Sequence, residues 1–462
     1  MHIRQKLYSL FICTSLLACS MAPEYKVPDV YMTEKYKASF MSSSRWVAFD
    51  QIKFTEFNKP WWTAFEDKFL NTLINQLNIR NYTIEQAVAK YEASNAQIKS
   101  AQASYFPSVG LDASASKSGG SNRAESDKFN YGSSLKWEID LWGKLSDKTN
   151  IARLDSEIQS LTIEQTQLGL QAQLANTYFS LRETDLKISA LEKIISYLEK
   201  SNHINKNQYN QGVIAKADVI SSDLQLLNAK AELVATQSSR IQLENAISTL
   251  IGLTPGEFRI ESERYELLPA KISVSYPSLL LAMRPDIKIA EKRVQEANYK
   301  IGVSKSAWFP NLTLSASVAN QAIAINDLIS SPATVWSLGP ALVLSIFDGG
   351  SKRAALNSAK ADYRFSVAAY RETVIEAIRD VENALTKIEM TSKELDLQSE
   401  ALKASRKSLE ITNNQYLAGL VSYLDVIQVQ NSNINAEIKN LNLKLKLVQN
   451  QIELIKALGG HL

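Results

Sequence analysis

Asn207-Gln208-Tyr209-x-x-Gly212-x5-Asp218-Val219-Ile220 returns in the second half of the chain as Asn414-Gln415-Tyr416-x-x-Gly419-x5-Asp425-Val426-Ile427. Each copy sits where two long proline-free segments meet around a single glycine. Glycine takes the left-handed backbone that closes a tight turn after a helix, so each copy reads as the turn of a helical hairpin. Duplicated long hairpins build tubes or solenoids rather than enzyme clefts.

The helix breakers extend this reading outward. None of the 11 prolines lies beyond Pro340, and none falls between Pro107 and Pro255. Segment 144–211 holds one internal glycine, Gly169, and segment 351–418 holds none. At 1.5 Å per residue each can form a helix of about 100 Å, far beyond the usual length. Val367, Val374, Val381, Ile388, Leu395, Leu402, Leu409 and Tyr416 fall at seven-residue intervals. Leu174, Leu181, Ile188 and Ile195 keep the same phase in the first half, until Asn202 interrupts the series before Tyr209. A sustained seven-residue stripe is a coiled-coil seam, so these side chains are expected in the core rather than around a cofactor. The return arms, 216–250 and 422–457, are rich in Gln, Asn, Leu and Lys. That composition suggests one face on a neighbour and one on a water-filled space, which favours a hollow bundle over a solid one.

A different texture precedes each hairpin. Val109, Leu111, Ala113 and Ala115 alternate with Gly110, Asp112, Ser114 and Ser116. Leu312, Leu314, Ala316 and Val318 alternate with Thr313, Ser315, Ser317 and Ala319. Second members follow at Phe129, Tyr131, Leu135, Trp137 and Ile139, and at Trp336, Leu338, Leu342, Leu344 and Ile346. Runs of about ten residues with period two and aromatics near their ends are the pattern of outer-membrane strands. Either pair alone would also suit a soluble hairpin with one wet face. Four strands per chain fall short of the roughly eight that the smallest membrane barrel needs, and lipid tolerates no open strand edge. If these strands cross a membrane, several chains must pool them.

The N-terminus names a compartment. Arg4 and Lys6 form a positive start, and Leu7–Leu17 is an apolar run too short to span a bilayer. It ends in Leu16-Leu17-Ala18-Cys19, which looks like a bacterial lipobox with Cys19 as the lipidated residue. An ordinary secretory signal with a chance cysteine is the alternative. Ser20 after the cysteine suits transfer to the outer membrane. The other cysteine, Cys13, lies inside the removed leader, so no internal disulfide is expected. A single acyl chain holds weakly, and a second means of insertion is expected. The 462 residues leave room for two or three domains, and 51 basic against 48 acidic side chains give a net charge of +3. That near-neutral balance offers no nucleic-acid footprint, and no run past residue 20 is long and apolar enough for a transmembrane helix.

The chain resembles the outer membrane factor family of TolC-like efflux ducts, in its lipoprotein branch. The motifs that carry the resemblance run along nearly the whole chain. Cys19-x-x-Ala22-Pro23-Glu24-Tyr25-Lys26-x-Pro28 is similar to the family's lipidated start, and Trp61-Trp62-x-x-Phe65 precedes the first helix. Tyr105-Phe106-Pro107 and Trp308-Phe309-Pro310 occupy matching places before the strands. Trp137-Glu138-Ile139-Asp140-Leu141-Trp142-Gly143-Lys144 and Phe347-Asp348-Gly349-Gly350 resemble the strand-to-helix turns, and Leu281-x-x-Arg284-Pro285-Asp286-Ile287 is the most distinctive match. Each also has a plain structural reading. Pro107 and Pro310 switch helix to strand, Asp140 and Asp348 can cap the long helices, and Pro285 suits a first helical turn.

The resemblance implies a mainly helical fold with a β-barrel part: four transmembrane strands and two very long coiled-coil hairpins per chain. Three chains would form a homotrimer with a twelve-stranded barrel and a hollow tube of twelve helices. The expected division is a signal peptide at 1–18, a lipidated segment at 19–63, and helices of the first repeat at 64–106. The first strand pair at 107–142, first hairpin at 143–252 and belt linker at 253–284 follow. The second repeat has a helix at 285–309, a strand pair at 310–347, a hairpin at 348–458 and a tail at 459–462. The function implied is an outer-membrane duct that passes small molecules from an inner-membrane pump, of resistance-nodulation-division type, through the periplasm to the exterior. A periplasmic adaptor would meet the hairpin turns at Gly212, Val213, Gly419 and Leu420, and outer membrane lipids would surround the barrel. No cofactor or metal is implied.

In similar proteins the turns carry a gate. Asp425 in three copies would ring the pore, although the second acidic place one turn later holds Gln428. Tyr416 and Asp218 match the family's link between hairpins. The basic partner's place is Val421, so apolar packing of Leu420 and Val421 is an alternative closure, and helix-end stabilisation is the plain role of both aspartates. Two other classes compete. A lipoprotein enzyme lacks material, since His203 and His461 are the only histidines past the leader and no phosphate loop or metal-ligand spacing occurs. A structural or adaptor spacer would use the coiled coils but not the strands. The duct of a protein secretion system remains within the same family.

Overall fold

In a computed structural model, the described residues are 20–30, 47–48, 60–121, 123–263, 265–267, 269–270, 273–274, 283–330 and 333–460. Cys13, Cys19 and His461 lie outside them. The architecture is mainly helical with a small sheet. Helices α1 (Lys68–Arg80) and α2 (Tyr82–Ala103) lead into strands β2 (Ser108–Gly120) and β3 (Arg123–Ile139), then helices α3 (Lys144–Asn210) and α4 (Lys216–Leu250). The second half repeats the order with α5 (Pro285–Ser306), β5 (Asn311–Ala322), the single turn α6 (Asp327–Ser330), β6 (Ala333–Val343), α7 (Ser351–Leu417) and α8 (Tyr423–Ala457). A two-residue pair, β1 (Val47–Ala48) and β4 (Ser273–Val274), runs parallel. The long arms α3 and α7 are each 67 residues, and the return arms α4 and α8 each 35. Leu344 and Ile346 lie past the end of β6 rather than in it.

Backbone contacts divide the chain into two compact units. One comprises residues up to Val30 with Ala87–Thr162 and Asp286–Thr373, the other Tyr31–Gln86, Ile163–Pro285 and Val374–Leu462.

The first unit holds the sheet, antiparallel throughout in the order β2-β3-β5-β6. Its register lines up apolar residues across all four strands, as in the row Val109–Leu135–Ala316–Leu338. The next row along is Gly110–Ser134–Ser317–Ser337, on the opposite face because strand side chains alternate. Gly132 permits the closest approach, since a Cβ there would sit 2.6 Å from the Val318 carbonyl oxygen. The joints to the helices are pinned by tryptophans. Trp137 Nε1 donates to the Tyr105 carbonyl at 2.8 Å, and Trp142 Nε1 to that of Pro310 at 2.9 Å. Asp140 accepts from the N–H groups of Leu145 and Ser146, and Asp348 from those of Gly350 and Lys352. The free amides of each long helix are thus satisfied by the residue that the sequence puts before it.

The second unit is a helical core. From the stripes, Leu174, Leu181, Val374 and Val381 are essentially inaccessible, and Ile195, Ile388 and Leu402 are buried, each contributing about 2 kcal/mol of burial. Trp61 and Phe65 are buried too, with Phe65 against Phe179 at 5.1 Å between ring centroids. A polar knot ties the linker to α3. Arg182, itself buried, donates to the Glu261 carbonyl and the Tyr178 hydroxyl, while Tyr178 and Tyr265 both donate to Asp67. Asp67 also caps α1 through its other oxygen. Arg284 of the distinctive motif donates to the Ala457 carbonyl and pairs with Asp380 at 3.7 Å, fastening the end of α8.

Candidate gate at the hairpin tips

The two turns are built alike. Gly212 and Gly419 adopt φ of 74° and 73°, where any side chain would be strained. In the first, Val213 N–H reaches back to the Gln208 carbonyl and Gly212 N–H to that of Tyr209. In the second, Leu420 N–H reaches Gln415 and Gly419 N–H reaches Tyr416. This paired pattern is the Schellman closure of a helix end, and it leaves Val213 and Leu420 exposed.

The return helices start unequally. Ser422 caps α8 in a reciprocal box: its N–H and Oγ both donate to Asp425 Oδ2, and its Oγ accepts from Asp425 N–H at 3.4 Å. Those bonds hold the exposed Asp425 carboxyl below the usual carboxylate range. Ala215, in the matching place, has no side-chain oxygen, so only Asp218 contributes there, accepting from Ala215 N–H at 3.3 Å.

Tyr416 is one of the points where the two hairpins of the chain are tied. Its hydroxyl lies 2.9 Å from both Asn205 Oδ1 and Gln208 Oε1 on α3, and its single proton serves one at a time. Burial raises its pKa, so it stays a neutral donor at ordinary pH. Tyr423 packs beside it with ring centroids 5.4 Å apart and shares a hydrogen bond with Ser201. Within the chain, then, Tyr416 meets two amides of the first hairpin, while Asp218 engages the start of its own helix. Val421 is half-buried and Gln428 exposed. His203 is exposed beside Asn207, and no group of metal-binding residues occurs among the described residues.

Other tip residues went unnoticed in the sequence. Asn202, which interrupts the apolar stripe, donates to Ser222 and Asp223 on α4, and Lys206 pairs with Asp223 at 2.9 Å. These bonds hold the Asp223 carboxyl low, Lys206 foremost. Tyr197 donates to Asn413 across the hairpins. The available signal was difference between the halves: Asn202 and Asn205 stand where the repeat has Leu409 and Thr412. Just above lies a cavity of about 160 Å³ lined by Ile194, Tyr197, Leu198, Leu409, Gln430 and Ile434. The buried amide of Gln430 makes no hydrogen bond with the protein through either its oxygen or its nitrogen.

The sequence model of a family described as outer membrane efflux protein matches residues 73–253 and 276–460. SilC of Salmonella typhimurium, described as a probable outer membrane lipoprotein, is 24% identical over 461 residues, spanning 98% of this chain and 98% of SilC. TtgC of Pseudomonas putida, described as a probable efflux pump outer membrane protein, is 25% identical over 471 residues, spanning 99% and 96%. The solved structure of the outer-membrane channel OprN matches with a TM-score of 0.85 at 26% identity, over 96% of this chain and 99% of that one.

Proposed function

Because this chain belongs to the outer membrane efflux protein family, we propose that three copies form the outer-membrane duct of a tripartite pump, with the hairpin tips as its gate. The single observation that carries this reading is the sheet. Leu111, Trp336 and Leu338 are exposed, as is β2 along its whole length, and among the described residues β2 and β6 have one neighbour each. Such a sheet is costly in water and suits lipid once its edges are paired with other copies.

A second pair of exposed surfaces supports assembly. Val213, Ile220, Leu227, Val234 and Ile241, from the tip along α4, recur every seven residues, each more than half exposed. Met390, Leu397, Ala404 and Ile411 form a second exposed heptad series on α7. Two seams that find no partner among the described residues fit the seams of neighbouring copies in a closed ring. Cys19 would add an acyl anchor, the turns at Gly212, Val213, Gly419 and Leu420 would meet a periplasmic adaptor, and Asp425 would line the constriction. The pump would be of the resistance-nodulation-division type, passing small toxic compounds. Planar-bilayer recording tests the proposal: a duct conducts ions in discrete steps, and a purified oligomer that leaves the bilayer silent would point to a spacer.

A further inference from the structure

Residues 20–30 form no helix or strand, yet they are stitched to three helices. Ser20 Oγ donates to Asp147 Oδ1 on α3 at 2.6 Å and accepts from Ala22 N–H at 3.1 Å. Asn298 of α5 donates to the Pro23 carbonyl at 2.7 Å, and Tyr25 donates to Glu291 on the same helix at 3.4 Å. Arg371 of α7 donates to the Asp29 carbonyl at 3.2 Å. The tightest stitch is the first. Asp147 has no accessible surface, and its second oxygen, Oδ2, has no hydrogen-bond partner. Gly302 makes room for the approach: a Cβ there would collide with Asp147 Oδ2 and lie 2.7 Å from Ala22 N.

A carboxylate sealed under a strap with half its acceptors unused is unfavourable when charged and tolerable when neutral. We infer that Ser20, Asp147 and Gly302 form a proton-operated clasp, which holds the 20–30 strap tightly in acid and lets it loosen as Asp147 ionises. Among the described residues, no cation acts on that charge. The strap brings the Ser20 hydroxyl, and α5 brings Gly302, which is uncharged. The turn before α3 brings Asp140, a like charge that deepens the effect, and nearby Lys144 is paired with Glu138. Burial, followed by a smaller opposing pull from Ser20, pushes the Asp147 carboxyl from 3.8 up to about 6. A pKa raised by docking means the proton favours the docked strap. The advantage is complete below about pH 4 and is lost as pH rises through about 6, so the docked fraction falls across that window.

Spin labelling of Lys26→Cys in the purified, detergent-solubilised oligomer tests it, because Lys26 is exposed on the strap. The expected spectrum loses its immobilised component as pH rises from 4.5 to 8, with a midpoint near 6. Asp147→Asn keeps an acceptor for Ser20 without a charge, and its label is expected to stay immobile throughout. Gly302→Ala blocks the socket, and its label is expected to be mobile at every pH while the circular dichroism is unchanged. A parent spectrum flat across this range overturns the clasp, and so does an Asp147→Asn protein showing the same pH step. Channel activity plays no part in the readout, so failure here is separable from failure of the duct.

Discussion

At the scale of single residues, the two hairpins are joined at the tip by neutral hydrogen bonds, while the Lys206–Asp223 ion pair acts within the first hairpin. Tyr416 reaches Asn205 and Gln208, and such a bond contributes about 1 kcal/mol net in a half-buried setting. Tyr416→Phe is therefore expected to raise single-channel conductance or open probability in planar bilayers. Asn205→Ala alone should do less, since Gln208 still accepts, whereas Asn205→Ala with Gln208→Ala should match Tyr416→Phe, and all three together should add little because they remove one interaction. Gln430 offers the opposite experiment. Its amide sits buried beside a cavity without a protein partner, so Gln430→Leu removes an unsatisfied group and fills space. Thermal unfolding of the variant should shift upward, by the equivalent of about 1–3 kcal/mol.

At the scale of elements, the long arms were legible because their information is local and repeated. A seven-residue stripe, a proline desert and one glycine per turn determine a hairpin without reference to anything distant, and Val374, Val381, Ile388 and Leu402 are buried as the stripe requires. The strands were legible as alternation, but where β6 ends was not, since Leu344 and Ile346 continue the pattern past Val343. The tip contacts were hidden for a different reason. Whether Tyr416 meets Asp218 or Asn205 depends on how two helices are rotated against each other, which no period in either helix records. The exposed series on α4 was hidden likewise, because a seven-residue apolar spacing does not record whether its partner lies in the same chain or in another. Leu227→Glu places a charge in the middle of that exposed seam. It should leave helical content intact by circular dichroism while weakening the oligomer, seen as a smaller mass in light scattering.

At the scale of the whole molecule, folding and assembly would be one event if the sheet lies in lipid as proposed. Strands β2 and β6 each have one neighbour, and lipid gives unpaired edges no substitute for hydrogen bonds. Light scattering in detergent should find no monomer that retains its native circular dichroism, and sheet and oligomer should be lost together on heating. Cys19→Ala should abolish metabolic palmitate labelling while insertion persists, since the barrel rather than the acyl chain would supply most of the membrane affinity.

The duplication that produced the two hairpins has a consequence for how a ring of these chains could move. The turns close identically, but Ser422 completes a box where Ala215 cannot, and Tyr416 is tied where its counterpart Tyr209 points to solvent. Near-equivalent tips would therefore alternate around the ring between one that grips and one that is gripped. Such a ring has the pseudo-symmetry of its repeats at rest but only the true symmetry of its chains in motion. Loosening the Tyr416 tie within each chain would then act at every second pair of tips around such a ring.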